Sequence, residues 1–498
     1  MMKKSTDPLA GCISIPPGTP NEDNRDYLPE AIKGSDMVVN ENGNNSRPYP
    51  ERLIECTDRI DGETPSVWYE YVPASYDGSR KVPLVISLHG GLMTGWGQAI
   101  YTSWTLVAER EGFILLFPGA SERRVWMVEC EKKTLELFGK PNPEGFYLHT
   151  PPHNPDENRD MRVVRKLTER MKQKYSIDEG RIYLHGMSMG DIMASQLARH
   201  YGGEFAGVAG SAGITWPEVI WDEHNEVINR AGPLAAWQSR MEHDSIPLHD
   251  GETEQFVKLN RAYWKRVNGC NELPELRIEG DNNYAFYRGV QADYVYHEIK
   301  NRDHGQTFED AELVWDHLFS GVRRSETGEM VRDEPIRPRS GDSWAVAVAA
   351  GSTKAYVHNR PVSLSGAVFK HQKLKYHGLN GGSMIRGEYF MVPVSFAALL
   401  LEAELQGSDE GLGAELVLPD DTHLQFARGS VGCVVNNRVE AMLCEAVYRD
   451  GELYIPIEWL FQRLYNRHVS TCGDVLYMTD HYAQLSHFMA ELIREELL

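Results

Sequence analysis

Apolar and polar positions along this chain follow two different rhythms. Between residues 51 and 322, short apolar runs alternate with longer stretches of helical period. Pro83–Leu88 (PLVISL) and Phe113–Phe117 (FILLF) are nearly continuous apolar runs of strand length. That is the pattern of parallel strands covered on both faces. Thr102–Glu111, Asp160–Tyr175, Ile192–Tyr201 and Phe308–Phe319 read as helices. Arg181–His185, Phe205–Gly210, Pro233–Trp237 and Val295–Ile299 read as further strands between them. Strands alternating with helices of about 10–15 residues predict an α/β domain with a mainly parallel sheet.

The rhythm changes outside that span. Residues 1–50 are rich in Pro, Asn, Asp and Gly and have no hydrophobic period, so an N-terminal arm is expected there. Residues 323–343 are charged and contain Pro and Gly, which predicts an interdomain linker. From 344 to 480 the sequence repeats itself. Tyr356-Val357-His358-Asn359-Arg360 returns 78 positions later as Val434-Val435-Asn436-Asn437-Arg438. Tyr389–Val394 followed by the apolar stretch Phe396–Leu405 returns, shifted by 63 positions, as Leu453–Ile457 followed by Trp459–Leu464. The first copy therefore carries about 15 extra residues, placed at Gln372–Gly387. Each unit reads strand, Asn turn, strand, strand, Pro, helix, with the Pro where a missing N–H does no harm. A small α+β tandem-repeat domain is expected, its copies sharing a core through Phe396, Leu400, Trp459 and Phe461. Residues 481–498 read as a C-terminal helix.

Composition narrows the classes. Hydrophobic residues make up 41% and charged residues 25% of the 498, an ordinary globular balance. No apolar run approaches the ~18 residues of a membrane span. The net charge of −21 repels phosphate backbones, so nucleic acid is an unexpected partner. Seven scattered cysteines without a C-x-x-C suggest free thiols, although Cys433 and Cys444 would pair if their strands adjoin. Met1–Pro8 begins like a signal sequence but no apolar segment follows. A cytoplasmic location is the expectation for the chain as written, and an extracellular or cell-envelope one if a leader is missing.

The sharpest chemical signal is Gly186-Met187-Ser188-Met189-Gly190, set between a predicted strand and a predicted helix. A G-x-S-x-G turn in that context forces the serine into a strained conformation and lifts its hydroxyl above the sheet. A serine nucleophile needs a base, and the base needs an orienting carboxylate, in the order Ser, acid, His. His304 follows the strand Val295–Ile299 and is the candidate base. After the strand Pro233–Trp237, Asp244 is the candidate acid and Glu242 its competitor. Leu88-His89-Gly90-Gly91 follows the first buried strand, and its glycines free backbone N–H groups for a developing oxyanion. The expected donors are Met189 and Gly91 or Leu92. Phe146, Tyr147 and Trp126, near the Gly139–Asn158 stretch, are candidates for lining a pocket. His149 and His153 flank Pro151-Pro152, which forbids the helix a metal pair would need there. No cofactor or metal is expected.

Several of these residues carry a resemblance. Tyr71-Val72-Pro73, Pro83–Gly91, Trp104, Ala108–Phe113 and Phe117-Pro118 resemble the opening of the polyhydroxybutyrate depolymerase and feruloyl esterase group. Tyr175–Asp178, Arg181–Tyr183, Phe205–Ala209, and Trp264 with Asn268-Gly269-Cys270 continue it, over about residues 65–320. The resemblance implies an α/β-hydrolase esterase with a metal-free Ser-Asp-His triad, mapped to Ser188, Asp244 and His304. Its substrate would be a carboxylic ester, polymeric or small, of hydroxyalkanoate or hydroxycinnamoyl type. Asp191 departs from the group, which often has a further glycine there. Tyr389–Leu405 and Leu453–Tyr465 resemble the copper amine oxidase N-terminal-like stalk module, which implies a non-catalytic accessory role. A peptidase or other acyl-transfer enzyme on the same scaffold is the alternative activity. A binding or scaffold protein with a decayed triad is the non-enzymatic one.

Overall fold

The computed structural model describes residues 52–62, 64–120, 124–141, 147–244, 253–376, 382–407 and 411–498. The arm at 1–50 and Phe146 lie outside these residues. The chain forms two compact units. One runs to Asn271 and takes in Tyr287–Tyr296 and Arg302–Arg339; the other takes in Glu272–Phe286, His297–Asn301 and Ser340–Leu498.

The first unit is built on strands β1 (Leu53–Asp58), β2 (Ser66–Tyr71), β3 (Val82–Leu88), β4 (Ile114–Pro118), β5 (Ile177–Met187), β6 (Gly207–Ser211) and β7 (Ala235–Met241). After β7 come β8 (Glu275–Glu279), β9 (Asn282–Tyr287) and β10 (Tyr294–Ile299). Helices α1 (Gly95–Tyr101), α2 (Trp104–Glu111), α3 (Lys132–Phe138), α4 (Arg159–Lys174), α5 (Met189–Tyr201), α6 (Thr253–Asn268) and α7 (Asp310–His317) fall between and after them. Within the first unit the strands lie in the order β1-β2-β4-β3-β5-β6-β7-β10. Strands β4, β3, β5, β6 and β7 run parallel, and β1 and β2 are antiparallel at the edge. This is the α/β-hydrolase arrangement. Burial explains the two apolar runs: Leu84, Val85, Ile86, Leu88 and all of Ile114–Phe117 are fully buried, as parallel strands between helix layers must be.

The stretch 323–343 differs from a solvated linker. Val322–Arg324 (β11) pairs with Met330–Arg332 (β12) as a hairpin. The Arg324 guanidinium donates to the carbonyls of Phe205 and Gly202, the latter at 2.7 Å. Arg339 donates to the His317 carbonyl at 2.7 Å and pairs with buried Asp293 at 3.0 Å. Charge in this segment therefore ties it to the first unit. Asp342 ties the next residues to the second, accepting from the Ile278 N–H (3.1 Å) and the Tyr477 hydroxyl (2.6 Å). The β8–β9 hairpin thus belongs with the second unit, where Leu276 N–H also donates to Asn359 Oδ1 (3.3 Å).

The rest of the second unit holds strands β13 (Ala345–Ala349), β14 (Lys354–Val357), β15 (Arg360–Ser363), β16 (Phe369–Tyr376), β17 (Ser383–Pro393), β18 (Glu404–Gly407), β19 (Gly413–Val417), β20 (His423–Ala427), β21 (Gly432–Val435), β22 (Arg438–Ala441), β23 (Val447–Arg449), β24 (Glu452–Pro456), β25 (His468–Cys472) and β26 (Val475–Thr479). The repeated Asn turns are two-residue hairpins with both residues left-handed: φ 48° and 64° at His358-Asn359, φ 46° and 67° at Asn436-Asn437. The extra residues of the first copy lengthen the β16–β17 hairpin. Strands β17 and β24 pair with Val392 opposite Ile455, equivalent positions of the two copies, so a local two-fold axis passes through that pair. Helices α8 (Val394–Leu400) and α9 (Ile457–Trp459, prolonged by a wide turn to Leu464) follow their prolines. Phe396, Trp459 and Phe461 lie in one buried cluster with Leu400 packed against it. The C-terminal α10 spans His487–Leu492, shorter than the expected 481–498, with a further wide turn to Leu497. Among the described residues all six cysteines are free thiols, Cys433 and Cys444 included.

Glu458 is a buried carboxyl in this core, accepting the Phe390 N–H at 2.9 and 3.0 Å. Burial pushes its pKa up to about 7, against the pull of that N–H. Its folded pKa thus exceeds the unfolded value, so its contribution to stability is full below pH ~4.5 and declines as pH rises through about 7. Glu458→Gln keeps an acceptor and removes the charge. Thermal melts should show a gain of several degrees over wild type at pH 8 and little change at pH 4.5; equal melts at pH 8 would refute the assignment.

Candidate active site

The site begins at the crossing of β5 into α5. Ser188 stands between them with φ 55° and ψ −120°, a conformation costing about 1–3 kcal/mol for a residue with a Cβ. Glycines on either side make the crossing sterically allowed. A Cβ at Gly186 would overlap the Gly190 carbonyl, and one at Gly190 would overlap the Leu88 carbonyl at the end of β3. The strain is held by neighbours: the Ser188 N–H donates to the Ser211 carbonyl (2.7 Å), and the Ser188 carbonyl accepts from the Asp191 N–H (2.9 Å). Buried Ile192, Met193, Ala194, Leu197 and Ala198 seat the following helix.

His304 and Asp244 arrive on the turns after β10 and β7. His304 Nε2 lies 2.8 Å from Ser188 Oγ, and Nδ1 lies 3.0 Å from Asp244 Oδ1. With the Nδ1 proton directed at the carboxylate, Nε2 is left to accept from the serine. The two turns are stitched together by the His243 N–H, which donates to the Arg302 carbonyl at 2.9 Å. At the start of α7, Asp310 Oδ1 accepts from the Ser239 hydroxyl of β7 at 2.7 Å. The Asp244 side chain is 9% exposed and that of His304 21%, so one imidazole edge faces outward. Glu242, the competing acid, lies 3.7 Å from His243.

The third part is the glycine turn after β3. His89 is fully buried there. Its Nδ1 donates to the Gly90 carbonyl (2.7 Å) and its Nε2 accepts the Ala120 N–H (2.9 Å). Burial pulls its pKa down to about 4, so it braces the turn as a neutral ring. The Trp126 ring packs against it at a tilt of 33°, centroids 4.7 Å apart, and donates through Nε1 to the His89 carbonyl at 2.7 Å. In sequence His89 shows only as part of the Leu88–Gly91 motif, and nothing local marks its imidazole as buried and bonded at both nitrogens. Leu92 has φ 63°, and its N–H donates to the Arg124 carbonyl at 2.8 Å. Of the three expected oxyanion donors, Leu92 is therefore already engaged. The Gly91 and Met189 N–H groups take no acceptor among the described residues. These two residues adjoin: a Cβ on Gly91 would sit 3.8 Å from the Met189 sulfur.

A hydroxyl, an imidazole and a carboxylate in one hydrogen-bonded series, beside two N–H groups without an acceptor among the described residues, are the parts an acyl-transfer site requires. No family model matches the sequence. By sequence the chain is similar to a bifunctional acetylxylan esterase/xylanase of Neocallimastix patriciarum, 22% identical over 241 residues, 47% of this chain and 31% of that protein. It is also similar to feruloyl esterase B of Piromyces equi, 22% identical over 258 residues, 49% of this chain and 43% of that one. The chain thus spans less than half the length of these curated relatives. Among solved structures it is similar to an acetyl xylan esterase from Aspergillus awamori, with a TM-score of 0.38, 18% identity, and coverage of 53% of this chain and 98% of that one. The strand order and the elbow at Ser188 give the first unit the α/β-hydrolase fold, and the proteins it is similar to in sequence are named as esterases.

Proposed function

We propose that the protein is a serine carboxylic ester hydrolase that works through an acyl-enzyme. The observation that carries this reading is the hydrogen-bonded series Ser188–His304–Asp244, mounted on a strained strand-to-helix turn. In this reading Ser188 Oγ attacks the ester carbonyl carbon while its proton passes to His304 Nε2. Asp244 holds the imidazole in the receptive tautomer and stabilises its charged form. The Gly91 and Met189 N–H groups take the negative charge on the carbonyl oxygen, and each such donor supplies about 10²–10³ in rate. His304 returns the proton to the leaving alkoxide. Water then repeats the steps to free the acid and restore Ser188.

The relatives' names, acetylxylan and feruloyl esterase, favour acyl groups carried on plant polysaccharides, either acetyl or hydroxycinnamoyl. A polyhydroxyalkanoate ester is the other substrate the sequence resemblance implies. The second unit is read as a stalk-like, non-catalytic accessory module, supported by its two copies about a local two-fold axis. The test is a panel of p-nitrophenyl acetate, methyl ferulate, acetylated xylan, poly(3-hydroxybutyrate) and a chromogenic peptide. Turnover of the first two with the peptide intact is expected. Peptide cleavage without ester turnover would replace this reading with the peptidase one, and inertness to all five would favour the non-catalytic one.

A further inference from the structure

The residue that departs from the resembled group lies directly under the nucleophile. Asp191 occupies the first turn of α5 and is buried. Its Oδ2 accepts the Gly213 N–H at 3.0 Å. That bond closes a ring. The Ser188 N–H donates to the Ser211 carbonyl (2.7 Å), the chain turns through Ala212 to Gly213, Gly213 donates to the Asp191 carboxyl, and the Asp191 N–H donates to the Ser188 carbonyl (2.9 Å). Every other hydrogen bond in the ring joins backbone to backbone, so the carboxyl is its side-chain link. The turn is itself strained, with Ala212 at φ 59°. Its glycines are shaped to the carboxyl. A Cβ at Gly210 would overlap the Asp191 carboxyl group, and one at Gly213 would come within 2.5 Å of the Asp191 Cβ and 2.6 Å of the Ser188 carbonyl oxygen.

We propose that Asp191 is a positioning residue for the nucleophile: its carboxyl locks the Ser211–Gly213 turn and, through it, holds the Ser188 backbone in the conformation that attack requires. The inference rests on the acyl-enzyme reading of Ser188. The lock works uncharged. A carboxylate here would lie one turn or less from the Met189 N–H and oppose the negative charge gathering on the substrate oxygen. Burial holds the carboxyl well above its usual range, and nearby acidic Asp310 of α7 acts in the same direction, against the Gly213 N–H. Ionisation at alkaline pH would then weaken the site.

The experiment measures kcat and KM on p-nitrophenyl acetate from pH 6 to 10 for wild type, Asp191→Asn and Asp191→Ala in the full chain, with Ser188→Ala as blank. Asp191→Ala should lose about 10–100-fold in kcat with KM changed less than about threefold. Asp191→Asn, which keeps an acceptor for Gly213, should recover most of that loss at pH 7 and lack the wild-type decline at the alkaline end. A wild-type kcat in Asp191→Ala would overturn the proposal. So would an Asp191→Asn variant as slow as Asp191→Ala at pH 7, or one that keeps the alkaline decline. Should Asp191→Ala not fold, the Asp191→Asn profile decides alone. A second variant separates packing from positioning. Gly210→Ala should destabilise the protein through the clash with Asp191. Adding Asp191→Ala should restore its melting temperature but not its kcat; restoration of both would overturn the proposal. The rate at which a fluorophosphonate labels Ser188 reads the same effect without any ester. If wild type turned over no ester yet labelled normally, and Asp191→Ala labelled slowly, the esterase reading would fail and this proposal would stand.

Discussion

Ser188→Ala should lower ester turnover by about 10³–10⁶-fold, because triad members act as a unit and the remaining donors and binding contacts supply only a residue of the rate. The substitution removes Oγ and little else. Alanine carries the same Cβ as serine, so the φ of 55° costs much the same for either residue. The backbone bonds that hold the elbow, Ser188 N–H to the Ser211 carbonyl and Asp191 N–H to the Ser188 carbonyl, survive. Circular dichroism and melting temperature should therefore match wild type while initial rates on a short chromogenic ester collapse. A folded variant within tenfold of wild type would mean the hydroxyl is not the nucleophile.

Asp244→Asn should cost about 10²–10⁴ in kcat. The carboxylate accepts from His304 Nδ1 at 3.0 Å, and that bond leaves Nε2 free to take the serine proton. An amide in its place can present N–H to Nδ1, which favours the tautomer that carries its proton on Nε2 and cannot act as base. The geometry of the turn is kept, since Asp244 N–H donates to the Met241 carbonyl through its backbone. Glu242→Gln provides the control. Its carboxyl lies against His243, 3.7 Å away, and its neutralisation should change turnover less than about threefold. The reverse ranking of the two variants would move the acid to Glu242.

Much of the first unit could be read from local pattern. Val82–Leu88 and Ile114–Pro118 show themselves because strands buried on both faces have no polar side to present. Ser188 was legible because the elbow demands small residues on both sides, and His304 and Asp244 because chain order restricts where base and acid can lie. The Ser66–Tyr71 strand was hidden by Glu70, a charge in an apolar run, which is buried among Trp68, Lys174 and Tyr175. The unit boundary was hidden for a related reason. Arg324 and Arg339 look like linker charge in sequence, yet both are spent on buried carbonyls. The β8–β9 hairpin is bound to residues 64 to 83 positions later, Asp342, Tyr356 and Asn359, and local pattern does not encode such partners. A cut after about residue 325, natural from composition, would strip that hairpin of the rest of its unit. Leu92 was a reasonable oxyanion donor until its N–H proved to be held by the Arg124 carbonyl.

Activation of Ser188 by His304 can be read by treating the full chain with a fluorophosphonate and mapping the adduct by peptide mass spectrometry. One phosphonyl group should appear, on the peptide holding Gly186–Gly190, absent from Ser188→Ala and formed at least about 100-fold more slowly by His304→Ala. A folded wild-type protein that takes no label, takes it elsewhere, or labels Ser188 equally fast without His304 would mean that His304 does not activate Ser188.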